Sequence, residues 1–137
     1  MANTALHRSV SLLLTNKSGG SVAAGAVALV DSTTAASFTT TTTAALTTDV
    51  LGVVLEPNGI AANAQGLVVT QGYCPKVNLS AAASLGDTFN THTVAGQAAP
   101  HAAIATGDFG EVLGAGSTPA CVLWGYPTQA GGGGGGA

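Results

Sequence analysis

The chain has 137 residues, 7% of them charged and 4% aromatic, with a formal net charge of -3. That is one domain's worth of chain with a modest core, and its three cations, Arg8, Lys17 and Lys76, stand too far apart to form a basic patch for phosphates. A nucleic-acid partner and an anionic membrane surface are therefore disfavoured, and the longest apolar run is far short of the ~20 residues a spanning helix needs.

In chain order, Met1 to His7 reads as a polar arm. Arg8 precedes the apolar run Val10 to Leu14, which is shorter than the roughly 7–15 residues of a secretory h-region, so no signal peptide is expected. Ser9 to Thr15 should be a first strand, and Asn16 to Gly20 a loop of turn formers. Ala26 to Asp31 alternates as a second strand. Phe38 to Thr43 is a Thr-rich extended stretch suited to a half-exposed position, or a hydroxyl cluster for glycans.

The clearest signal lies between Val50 and Tyr73. Two β-branched runs, Val50 to Leu55 and Leu67 to Tyr73, flank a loop that Pro57, Asn58 and Gly59 start, predicting a long-looped hairpin or β-arch. Beyond it, Pro75 to Leu79 reads as a strand, Ser80 to Ser84 as at most one helical turn, and Leu85 to Asn90 as a short strand. Ala98 to Ala105 is helix by its Ala content or loop by Pro100. Phe109 to Leu113 and Ala120 to Tyr126 close the chain, before a tail with glycine from 131 to 136. The expected fold class is all-β, a small β-barrel or β-sandwich of roughly eight to ten short strands. Its divisions are 1–15 (arm and first strand), 16–127 (β domain) and 128–137 (Gly-rich tail).

The second half echoes the first. Phe109, Gly110, Val112 and Leu113 follow the pattern of Leu51, Gly52, Val54 and Leu55, and Gly25, Gly52 and Gly72 match Gly86, Gly110 and Gly125 in order. This is either an internal pseudo-repeat or a coincidence of a chain with 26 Ala and 20 Gly. So few charges also remove the repulsion that keeps proteins apart, which favours life packed against copies or another protein.

Chemistry is sparse. Cys74 and Cys121 adjoin the two Gly-Tyr elements, which admits a disulfide or two buried thiols, but they form no metal motif. His7, His92 and His101 lack ligand spacing and read as solvated loop residues. Asp87 and Asp108 follow glycines and suit turn capping, with an acid–base pair as the sharper alternative. Gly19 to Ala23 matches a G-x-S-x-A elbow around Ser21, but no helix is expected after it. Asn16-Lys17-Ser18 and Asn78-Leu79-Ser80 fit the glycosylation sequon. No catalytic, cofactor-binding or metal-ligating set is expected, and no enzymatic activity.

The ordered segments AAGAVALVD, DVLGVVLEP, GLVVTQGYCPKVNL, SLGDTF, FGEVLGAG and ACVLWG, with a Gly-Gln step at Gly96-Gln97, resemble the decoration (cement) proteins of tailed-bacteriophage capsids. The resemblance runs from about Val22 to Gly125. It implies a β-rich, non-enzymatic virion protein, made in the host cytoplasm, that binds the outside of the expanded shell as a homotrimer and bridges major capsid protein subunits. It further implies an arm, Met1 to Thr15, able to add a strand to a neighbour. The rival expectation is a subunit of an extracellular or tail-associated filament with a glycan-bearing or glycan-binding surface. An enzyme is the third, testable by whether Ser21, Asp87 or Asp108 reaches a histidine.

Overall fold

A computed structural model of the chain describes residues 9–128. Among them the protein is all-β, with nine strands and no helix: β1 (Ser9–Asn16), β2 (Val27–Val30), β3 (Ser37–Thr39), β4 (Val50–Val54), β5 (Gln65–Cys74), β6 (Thr88–Thr91), β7 (Ala98–His101), β8 (Gly110–Val112) and β9 (Cys121–Leu123). The arm from Met1 to His7 and the hexaglycine run lie outside the described residues.

The strand order is β1-β3-β2-β4-β5-β9-β8-β6-β7, and β1 also pairs with β5. The first five strands therefore close into a barrel, and the other four continue from β5 outside it. The expected hairpin is the hinge of this arrangement: β4 and β5 are antiparallel, with Val53 opposite Val69 and Val54 opposite Val68. Its long outgoing strand serves three partners at once. One side of β5 carries β1 from Gln65 to Gly72, while β4 and then β9 share the other.

Alternation along these strands gives two cores. Ala28, Val54 and Val68 point into the barrel with Leu14, Phe38 and Ile60. Their sequence neighbours Val27, Val53 and Val69 point the other way, into a cluster with Val77, Phe89, Phe109, Val112 and Leu123 from the second half. Strands buried on both faces must be apolar at successive positions, which is why Val53-Val54 and Val68-Val69 are continuous rather than alternating. Each core has a fully buried phenylalanine, Phe38 or Phe89, contributing roughly 1.5–3 kcal/mol by burial. Phe89 also meets the Phe109 ring edge-on, with centroids 5.0 Å apart at 90°.

The echo in the sequence corresponds to a repeated topology. In the first half the order β3-β2-β4-β5 arises from consecutive strands, and β7-β6-β8-β9 repeats it in the second. Before β2, Val22 bridges Ile60 in the β4–β5 loop; before β6, Ala83 bridges Gly116 in the β8–β9 loop. Gly25 and Gly86 hold the matching turns at φ +85° and +88°, a region open to glycine at little cost. Gly52 and Gly110 match through close approach instead: a Cβ at Gly52 would strike the Val69 carbonyl oxygen, and one at Gly110 would lie 2.7 Å from that of Val122. The segment 77–79 takes the place of β1 in the second half. It does so thinly, through Val77 N–H to Pro119 O (3.0 Å), Leu79 N–H to Ser117 O (2.9 Å) and one parallel bridge from Leu79 to Ala98.

Several expectations are corrected. Pro75 to Leu79 is no strand beyond that bridge, because the N–H groups of Val77, Asn78 and Leu79 go to Pro119, Gly25 and Ser117 and not to one neighbouring strand. Ala98 to His101, expected as helix or loop, is strand β7, paired from Thr88 to Thr91 along β6, and Pro100 is tolerated there because β7 ends the sheet. The Thr-rich strand stops at Thr39, and Thr40 to Thr43 is loop. Asn16 is not a loop residue but the last of β1, so the expected break after Thr15 falls inside a strand. That strand is not a free arm either, since from Ser9 to Thr15 it pairs with β5 of its own chain.

Candidate functional site

Asp108 is completely buried in the turn before β8. Its Oδ2 accepts hydrogen bonds from the Thr88 hydroxyl (2.6 Å) and the Ala105 N–H (2.7 Å), while Oδ1 lies 3.1 Å from His101 Nε2. The β6–β7 ladder sets this up by placing Thr88 opposite His101. His101 is thus a strand residue with its Nε2 beside a buried carboxylate, not the solvated loop residue expected, and one of the three carboxylate or hydroxyl candidates does come within reach of a histidine. The connectivity is nevertheless wrong for nucleophilic catalysis. A triad needs a hydroxyl donating to imidazole and the imidazole backed by carboxylate, whereas here the hydroxyl donates to the carboxylate itself. The cluster ties β6, β7 and the turn before β8 together.

The turn is the capping motif expected of both aspartates. Asp87 accepts the Ser84 N–H at 3.0 Å as Asp108 accepts that of Ala105, and each returns its own N–H to the same residue's carbonyl. Ser21 lies elsewhere, on a cleft of about 500 Å³ between the two halves. Its polar lining includes Ser18, Ser21, Thr40, Asn78, Gln97 and Ser117, and among the described lining residues there is no histidine or carboxylate. Such a surface offers neutral hydrogen bonds and no acid–base chemistry.

Both sequon asparagines are engaged. Asn16 is fully buried, its amide nitrogen donating to the carbonyls of Gly20 (2.8 Å) and Ile60 (2.9 Å) and its oxygen accepting the Ser18 N–H. Asn78 donates to Ala24 O at 3.0 Å. A glycan on Asn16 is incompatible with the folded barrel. Cys74 and Cys121 are free, buried and directly opposite in the β5–β9 ladder. A hydrogen bond from Cys121 lowers the Cys74 thiol from its ordinary value, and the same bond together with burial pushes Cys121 up. No group of three or more His, Cys, Asp or Glu suited to a metal occurs among the described residues.

The surface feature that the sequence reading missed is on β1. Beyond its pairing with β5, β1 meets β3 only at Thr15 and Asn16 among the described residues. Val10, Leu12 and Leu13 are exposed on this strand, with Leu67 exposed opposite Leu13. The run VSLLL carries the signal, since alternation alone would bury Leu12 or Leu13 but not explain both exposed. No helix of the described residues is long and apolar enough to cross a membrane. No protein-family model matches the chain, and no curated protein matches it.

Proposed function

We propose that this is a structural virion protein that decorates the outer surface of an expanded phage capsid and stabilises it by bridging major capsid protein subunits. It has no enzymatic role in this reading, and it acts as a homotrimer. The observation that carries the reading is β1, a strand with exposed Val10, Leu12 and Leu13 whose far edge is paired only at its end among the described residues. Apolar side chains beside unpaired backbone favour a protein neighbour, by strand addition or face packing. The charge-poor composition and the sequence resemblance to cement proteins point the same way.

Light scattering of the purified chain should give a discrete trimer, and adding it to expanded capsids that lack it should coat them and raise their melting temperature. Leu13→Glu combined with Leu67→Glu should leave the monomer folded and weaken coating at least about tenfold, since a charged pair on this face must be desolvated in any contact. Open polymers without affinity for shells would reject the reading. They would favour the filament subunit, for which the neutral polar cleft at Ser21 and Gln97 offers a glycan-binding surface.

A further inference from the structure

We propose that Cys74 and Cys121 are an oxidant-closed staple, a disulfide that fastens the first half of the molecule to the second. The inference is independent of the capsid reading. The two residues are direct antiparallel partners, which sets their Cα atoms about 4.5–5.5 Å apart, inside the roughly 4.4–6.8 Å that disulfides span. Both side chains are fully buried, facing the same core between the two strands. The chain has two cysteines, so within one molecule each has a single partner. The ladder they occupy is the one through which β5 carries β9, and with it the second half of the sheet.

Cys74 donates to Lys76 O at 3.3 Å. Either thiol, once ionised, can attack an oxidant while the other resolves the product. Where Cys74 is the first to ionise and a peroxide is the oxidant, its thiolate attacks one peroxide oxygen. The O–O bond breaks, hydroxide leaves and is protonated to water, and Cys74 becomes a sulfenic acid. The Cys121 sulfur then attacks the Cys74 sulfur, the S–O bond breaks, and a second water leaves with the Cys121 proton. Two thiols are oxidised by two electrons, and one hydrogen peroxide is reduced to two waters. Peroxide is small enough to reach a buried pair through local opening of the ladder.

The test treats the full-length folded protein with dilute hydrogen peroxide, quenches it, denatures it and alkylates it. Expected are a monomer on a non-reducing gel, an intact mass lower by two hydrogens, no alkylated cysteine, and a melting temperature higher by roughly 10 °C that reductant reverses. Cys121→Ala should lose the rise and retain Cys74 as a sulfenic acid trapped by dimedone. Because that variant could fail to fold, peptide mapping of the oxidised wild type supplies a second readout, a single peptide pair joined through Cys74 and Cys121. Two alkylatable thiols after oxidation, linkage between chains, or a lower melting temperature on closure would overturn the proposal.

Discussion

Single residues carry more of this fold than its thin composition suggests. Asn16 satisfies the backbone of Ser18, Gly20 and Ile60 from inside the barrel, so Asn16→Ala strands buried polar groups and should cost about 3 kcal/mol, read from the urea midpoint. Gly52 faces the Val69 carbonyl so closely that Gly52→Ala should destabilise by more than about 3 kcal/mol, or prevent folding, because backbone rather than a flexible side chain must move. Asp31 works on the pH axis. The Thr33 N–H (2.9 Å) and then its hydroxyl (2.8 Å) hold the Asp31 carboxyl below its ordinary value. A lowered pKa means stability that is present above the unfolded value and lost as pH falls through the folded one. Melting curves from about pH 5 to about pH 2 should therefore converge for wild type and Asp31→Asn at the acid end, with a small gap above it. A gap that widens on acidification would contradict the assignment.

At the level of elements, the two capping aspartates make the same turn in different surroundings. Asp87 is half-exposed, so Asp87→Ala should cost only about 1 kcal/mol. Asp108 is buried against His101 and Thr88, and Asp108→Ala should cost about 3 kcal/mol in the same denaturation assay, since it leaves the Thr88 hydroxyl and the Ala105 N–H without their acceptor. Comparable costs at the two positions would mean that the burial of Asp108 and its bond from Thr88 contribute nothing. The sequence made the β4 and β5 strands legible, because Val50 to Leu55 and Leu67 to Val69 are β-branched and apolar in unbroken runs. It concealed β7, where Ala98, Ala99 and Pro100 carry no strand preference and pairing with β6 alone decides the conformation. The His101–Asp108 contact was hidden for the same reason: it exists only once Thr88 has been set opposite His101. Pro75 to Leu79 misled in the other direction, since Val77 and Leu79 alternate and are buried as in a strand, but the backbone bonds of the segment go to several different partners, Gly25, Ala98, Ser117 and Pro119, and build no continuous ladder.

For the whole molecule, the repeat of β3-β2-β4-β5 in β7-β6-β8-β9 does not make two independent units, because Val27, Val53 and Val69 of the first half lie in the core of the second. A fragment ending at Cys74 keeps its closed barrel but bares this face, and it should elute in size-exclusion chromatography as aggregates; a stable monomer would show that the barrel suffices alone. The place of Gly72 between Ser9 and Leu123 has a mechanical side. Strands β1 and β9 run in the same direction along β5, and the start of one and the end of the other meet it at that one residue. A load drawing residues 9 and 123 apart across the sheet peels both ladders open from a single point, one rung after another. The same load applied between residues 9 and 65, at opposite ends of the β1–β5 pair, strains every rung of that ladder together. The protein should thus yield softly when pulled between residues 9 and 123, and stiffly along the grain of β5.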